Sequence, residues 1–246
     1  MTSLAVIAPS YLKATTLDAF LTRLSVSLND LDLSYEIIVV IDGDSDQSSK
    51  IVDSFSSLDP RVKCVVHETN RGKGAAIRTG VDSVKECEYI AYLDADLDIH
   101  PEVMASYITF LENNLDVDIL YASKQHHFSI VKYPFSRKVM SYILQKLVKL
   151  LLRVNVEDTQ TGLKLGRYTA MQKSILRTDT NGFAFDLEFF VNANIAGYRF
   201  AAMPVKLDFQ FSSTINVSHI VRIFSDLLRI SFWRRRQRKH SSAAGK

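Results

Sequence analysis

Four short apolar runs, Leu4–Pro9, Tyr35–Ile41, Val62–His67 and Tyr89–Leu93, alternate with stretches whose apolar residues recur at helical spacing. A run that is apolar throughout has no wet face, so it must be covered on both sides. Leu17, Phe20, Leu21, Leu24 and Leu28 give Thr15–Leu28 such a covering stripe, and further helices are expected from Ala75 to about Val84 and over Pro101–Leu111. The alternation predicts an α/β fold with a mostly parallel central sheet and helices on both faces. Ligands of such sheets bind beyond the carboxyl ends of the strands. Two acidic segments, Asp42–Asp46 and Asp94–Asp98, fall there, and the loop Thr69–Gly74 follows the third run.

Each loop carries its own chemistry. On an extended chain, residues two apart share a face, so Asp94, Asp96 and Asp98 are expected to converge. Like charges that close call for a cation, and oxygen ligands select Mg²⁺ or Mn²⁺, which typically bridge carboxylates to substrate phosphates. A solvated acidic turn is the competing reading. In Asp42–Asp46, either Ser45 or Asp46 caps the next helix, or a carboxylate bonds a nucleotide base or ribose. In Asn70–Ala76 (NRGKGAA), small residues let backbone amides approach an anion at a helix N-terminus, and Arg71 and Lys73 add fixed positive charge. Neither the Walker spacing nor the G-x-G-x-x-G fingerprint is present.

In this order, a strand with an acidic turn, an N-x-G-x-(G/A) loop and a strand ending in D-x-D resemble the family 2 glycosyltransferases with the GT-A fold. The nearest resemblance is to the polyprenyl-phosphate sugar synthases that make dolichyl-phosphate mannose and glucose. Asn70–Gly80 (NRGKGAAIRTG) and Asp94–Pro101 (DADLDIHP) have near counterparts in them. Asp158–Lys164 (DTQTGLK) resembles their D-T-x-x-G-F-K segment, and Gly182–Glu188 (GFAFDLE) their F-D-x-E motif. The likeness runs over about residues 4–210. It implies inverting, metal-dependent transfer of a hexose from a UDP- or GDP-sugar to a polyprenyl phosphate. By position it places Pro9, Tyr11, Asp42, Asp44, Arg71, Gly72, Lys73, Asp94 and Ala95 around the nucleotide sugar. Asp94 and Asp96 would carry the chemistry with Mg²⁺ or Mn²⁺, which Asp98 also approaches, and Lys124, Arg137 and Gln160 would meet the acceptor phosphate. Asp98 stands where those enzymes usually have Gln, and Ser10–Lys13 lacks the Asn and Glu that usually follow the first strand. A phosphate acceptor is already ionised near neutral pH and needs no base. A sugar-hydroxyl acceptor, the alternative, would need one, for which Asp186 and Glu188 are the candidates.

Charge sharpens the partner reading. Residues 219–246 hold eight Lys and Arg against one acid, and residues 132–153 hold six with none, although the whole chain is only +3. Val139–Val154 and Val217–Trp233 interleave these cations with apolar residues, the pattern of helices lying on an anionic membrane surface. The expected organisation is a catalytic domain over 1–210, a basic amphipathic helix over 211–236 and a disordered tail over 237–246. With two cysteines, no signal peptide and no spanning segment, the chain reads as cytoplasmic and peripheral to a membrane. A sugar-1-phosphate nucleotidyltransferase is disfavoured because Ala8–Thr16 has no Gly. Nucleic acid is not expected, since no recognition motif accompanies the RRRQRK run. A non-catalytic membrane adaptor leaves the three loops unexplained. His126 and His127, if on a strand, point to opposite faces, and Cys64 and Cys87 read as packed thiols.

Overall fold

The computed structural model describes residues 3–131, 156–182 and 184–207, together with 149, 154 and 229. The four apolar runs are β1 (Leu4–Ser10), β2 (Tyr35–Asp42), β3 (Val62–His67) and β4 (Tyr89–Leu93). They join β5 (Ile119–Ser123), β7 (Leu163–Arg167) and β8 (Phe200–Pro204) in a seven-stranded sheet of order β3-β2-β1-β4-β7-β5-β8. A separate pair, β6 (Ile130–Val131) and β9 (Lys206–Leu207), lies outside it. Within the large sheet β7 alone is antiparallel to its neighbours, β4 and β5. Its first residue, Leu163, therefore stands opposite the last residue of β4, Leu93.

The helices are α1 (Ala14–Asn29), α2 (Ser48–Leu58), α3 (Lys73–Asp82), α4 (Met104–Asn113), α5 (Tyr168–Leu176) and α6 (Phe185–Ile195). Alternating strand residues divide the core in two. Val6, Ala8, Ile37, Val39 and Leu93 pack with Leu17, Phe20 and Leu24 of α1 and with Tyr107 and Leu111 of α4. Ile7, Ile38, Val40 and Tyr92 pack on the other face with Ala76 and Ile77 of α3, Met171 of α5 and Phe185 and Phe189 of α6. Burial on both faces explains why β1, β2 and β4 carry no polar alternation, whereas β3, at the sheet edge, exposes Lys63 and Val66.

Local differences from expectation have physical causes. The third helix starts at Lys73 rather than Ala75, because Gly72, at φ 98°, turns the chain directly into it. The helix expected from Pro101 opens as a 3₁₀ turn over Pro101–Val103 before α4. The N-cap of α2 is Gln47, in a left-handed conformation at φ 60°, rather than Ser45 or Asp46. The first amides of α2 are instead met from further back, Ser48 N by Asp46 Oδ1 at 3.2 Å and Ser49 N by Asp44 Oδ1 at 2.9 Å. Of the two basic amphipathic segments only 149, 154 and 229 are among the described residues, and the 237–246 tail lies outside them.

Candidate functional site

With β2 and β3 on one side of β1 and β4 on the other, strand order reverses at β1, and a crevice opens beyond the carboxyl ends of β1 and β4. Asp94 is the first residue past β4. Its amide donates to Gly162 O at 3.0 Å, and its Oδ2 accepts from Lys73 Nζ at 2.8 Å. Lys73 opens α3 and lies 3.7 Å from Asp186 Oδ2. Burial works against the Lys73 charge, but Asp186 and Asp94 outweigh it and raise its pKa above that of a free lysine. Burial, together with the neighbouring Asp96, raises the Asp94 carboxyl despite Lys73.

The chain from Asp94 to Asp98 is a turn, not a strand. Leu97 sits at φ 62° and Asp98 N donates to Asp96 Oδ1 at 3.1 Å. The extended-chain argument for three converging carboxylates therefore fails at Leu97, where the chain reverses. Among the described residues no three acidic, histidine or cysteine side chains form a metal-binding group. The carboxylates still sense one another, since burial and the charge of Asp96 push Asp98 up to about 6 against the pull of Lys13 and Lys124. A left-handed, non-glycine residue also interrupts the first loop, Leu12 at φ 53°. Such conformations cost of order 1–3 kcal/mol and gather at functional sites.

Asp42 takes an inward role. Only 2% exposed, it accepts from His67 Nδ1 and Arg71 N at 2.8 Å each through Oδ1, and from Gly72 N at 2.7 Å through Oδ2. His67 Nε2 is in turn 3.0 Å from Thr79 Oγ1. The loop amides expected to cradle a substrate anion are thus occupied by a protein carboxylate, and Gly74 N donates to Asn181 O at 2.8 Å. What this loop keeps for a ligand is side-chain charge, Arg71 being exposed and Lys73 partly so. A Cβ on Gly72 would stand 2.5 Å from Asn181 O, so the close packing of loop and brace requires glycine there. Arg78 ties the same brace through Thr178 Oγ1 at 3.0 Å and Thr180 O at 2.9 Å.

The remaining residues fall into place around this core. Asp186 is buried and accepts from Lys164 Nζ at 2.5 Å and Tyr92 Oη at 2.7 Å. Glu188, also buried, accepts from the amides of Asp179 and Thr180 at 3.1 and 2.8 Å. Asp158 gathers Lys124 and Gln160, accepting from Lys124 N at 3.0 Å and Gln160 N at 3.2 Å, with Lys124 Nζ at 3.4 Å. Asp44 and Asp46 serve α2, and Asp46 also accepts from Ala14 N at 2.9 Å. Pro9 ends inside β1 opposite Val40, Tyr11 is exposed, and Ala95 is buried with its carbonyl 3.4 Å from the Thr16 hydroxyl. Arg137 lies outside the described residues. His126 and His127 do not diverge; their rings stack at 4.6 Å because residues 124–128 form turns rather than a strand.

Sequence reasoning singled out the segment holding Gly162 and Lys164 but gave neither a role, and it missed Tyr92, His67 and Ser10, whose hydroxyl is buried at the end of β1 with no hydrogen-bond partner among the described residues. For Lys164 a signal was present. A lysine between Leu163 and Leu165 in an apolar strand must share a face with something that compensates it.

A family model described as glycosyl transferase family 2 matches residues 5–178. Two dolichyl-phosphate beta-glucosyltransferases are among the relatives. That of Trichomonas vaginalis is 26% identical over 221 residues, covering 86% of this chain and 68% of its own. That of Dictyostelium discoideum is 28% identical over 254 residues, covering 93% and 74%. Glycosyltransferase AglD of Haloferax volcanii is 25% identical, and its match takes in 93% of this chain but 37% of AglD. Among solved structures, glucosyl-3-phosphoglycerate synthase of Mycobacterium tuberculosis in complex with UDP superposes with a TM-score of 0.70 at 13% identity, over 94% of this chain and 80% of that one. Mannosyl-3-phosphoglycerate synthase of Rubrobacter xylanophilus gives 0.67 at 13%, over 97% and 75%. The mycobacterial enzyme has also been crystallised with Mn²⁺, UDP and phosphoglyceric acid. These likenesses establish a GT-A-like α/β fold.

Proposed function

Because this enzyme belongs to glycosyl transferase family 2, we propose that it moves a hexose, with inversion, from a nucleotide-diphosphate sugar to a dolichyl-type polyprenyl phosphate at the cytoplasmic face of a membrane. The observation that carries the reading is the group Lys73, Asp94 and Asp186 at the crevice beside the Asp94–Asp98 turn. It is supported by relatives named for transfer to dolichyl phosphate along most of this chain.

The choice of acceptor is supported by how the two candidate bases are committed. Both carboxylates considered as bases for a sugar hydroxyl are buried and committed, Asp186 to Lys164 and Tyr92, Glu188 to two amides. A phosphate acceptor asks for no such base, and that favours the lipid phosphate over a sugar hydroxyl. Lys124, held by Asp158, is the described cation assigned to that phosphate.

The residues present fit a divalent cation shared with the donor rather than caged by protein. Asp94 and Asp96 offer hard oxygen ligands, and burial together with the charge of Asp96 raises both the Asp94 and the Asp98 carboxyls, which a nearby cation would relieve. When bound, Mg²⁺ or Mn²⁺ supplies Lewis-acid neutralisation of the departing nucleoside diphosphate. Lys73, fixed between two carboxylates, and Arg71 bring further positive charge to the diphosphate side. Among the described residues no helix is long and apolar enough to cross a membrane. Membrane contact is assigned to the two basic segments seen in the sequence.

The test offers purified protein labelled UDP-glucose, UDP-galactose and GDP-mannose with polyprenyl phosphate, Mn²⁺ or Mg²⁺, and counts label entering the organic phase. Metal-dependent label from one donor, lost in Asp96→Asn, is expected. Metal-dependent release of UDP or GDP without organic label would move the acceptor to a sugar hydroxyl.

A further inference from the structure

We propose that Lys164 is a positioning residue that fixes the Asp94 carboxylate from two directions, a role that rests on the transferase reading above. Lys164 is fully buried, and its three N–H donors are all engaged: Asp186 Oδ1 at 2.5 Å, Thr161 O at 2.7 Å and Thr159 O at 3.0 Å. Nothing remains for a substrate, so its influence must pass through what it holds.

The first path is electrostatic. Lys164, Asp186, Lys73 and Asp94 alternate in sign, with Lys73 shared between Asp186 at 3.7 Å and Asp94 at 2.8 Å. With Lys164 in place, Asp186 is satisfied and Lys73 leans on Asp94. Without it, Asp186 becomes a buried, uncompensated carboxylate and draws Lys73 away. The second path is through the backbone. The two carbonyls held by Lys164 belong to the turn that delivers Gly162, which accepts the Asp94 amide and lies against its carboxylate. Packing does not account for the ammonium. A methionine opposite Tyr92 would fill similar volume without the several kcal/mol needed to bury a charge.

The experiment is a double-mutant cycle on the full chain with Lys164→Met, Lys73→Met and the pair. It measures turnover, the KM of each substrate, UDP binding with Mn²⁺ and thermal stability. Displacing a reacting group by about 1 Å costs roughly a hundredfold in rate. Lys164→Met is therefore expected to lower turnover about a hundredfold in the wild-type background and no more than about tenfold in Lys73→Met. The acceptor KM should hold within threefold, and the loss of melting temperature should be larger in the Lys73→Met background, where Asp186 is left with neither lysine. An equal loss of turnover in both backgrounds removes the path through Lys73 and overturns the proposal that Lys164 acts on Asp94 from two directions. If Lys164→Met does not fold, Asp186→Asn, which keeps the shape and an acceptor oxygen, goes through the same cycle with the same criterion. If the wild type transfers sugar to no acceptor yet binds UDP with Mn²⁺, the function above fails and Lys164 is judged by UDP affinity in the cycle. A wild type that binds neither UDP nor GDP has no donor site to position, and the role of Lys164 falls with it.

Discussion

Gly162→Ala should disable the enzyme without unfolding it. A methyl at Gly162 would stand 2.8 Å from Asp94 Cγ and 3.0 Å from Asp94 Cβ, and closer still to Oδ2. Carbon atoms rest at about 3.5–4 Å, so Asp94 must retreat by roughly 1 Å. Because its own Cβ is among the crowded atoms, rotating the carboxylate does not relieve the contact, and the Lys73–Asp94 pair at 2.8 Å opens. Overpacking costs about 1–3 kcal/mol, and the low end applies because Asp94 lies in a loop and is only partly covered. For a chain of this size about 1 kcal/mol is roughly 2–4 °C in melting temperature. If Asp94 holds the donor as proposed, the same 1 Å displacement costs about a hundredfold in turnover. Gly182→Ala is the control, since nothing among the described residues lies within 4 Å of the added carbon. The assay is initial rate at saturating donor beside a thermal melt. A Gly162→Ala enzyme that keeps its turnover within threefold while melting lower would refute the claim that the orientation of Asp94 matters.

Three other changes probe the supports. Asp42→Asn leaves His67, Arg71 N and Gly72 N with one acceptor oxygen in place of two; it should cost about 1–3 kcal/mol in a urea titration and raise the donor KM. Asp46→Ala removes the acceptor for Ser48 N and Ala14 N and should cost about 1 kcal/mol, with donor and acceptor KM unchanged. Burial pushes the Cys64 and Cys87 thiols up to about 11, so at pH 8 only about one in a thousand is thiolate, and alkylation should be slow until urea unfolds the protein.

The half of the fold that was legible in sequence is the half where one force acts on each segment. β1, β2 and β4 are buried on both faces, the edge strand β3 is a short apolar-rich run, and α1 carries a single stripe of Leu17, Phe20, Leu21, Leu24 and Leu28, so period alone assigns them. Beyond residue 119 that simplicity ends. α6 buries Asp186 and Glu188 alongside Phe189 and Phe190, so no polar face marks it as a helix. β7 buries Lys164 between two leucines, which breaks the apolar run that would have announced a strand. Asp42 shows the converse difficulty. Its place at a strand end was plain, but whether its oxygens face a ligand or two amides and a histidine depends on where the loop at Arg71 and Gly72 packs, and no spacing encodes that.

The reversed strand explains why the site is assembled where it is. A parallel strand beside β4 would present its carboxyl end next to Asp94, and the chain there would be leaving the sheet. Because β7 runs the other way, the chain beside Asp94 is entering it, and Leu163 pairs with Leu93. The turn of Asp158 to Gly162 is thereby pressed between Asp94 and the loop of Lys124, with Asp158 holding Lys124 and Gly162 holding the Asp94 amide. The same register sets Lys164 opposite Tyr92, so that both reach Asp186 from one face of the sheet. One antiparallel pairing thus joins Asp94, the carboxylate proposed to meet the donor, Lys124, the cation proposed to meet the acceptor, and the buried ion pair behind them. Preorganisation of charge in a partly desolvated site is the largest single source of catalytic power open to such an enzyme. In this fold it depends on the register of five residue pairs between β4 and β7.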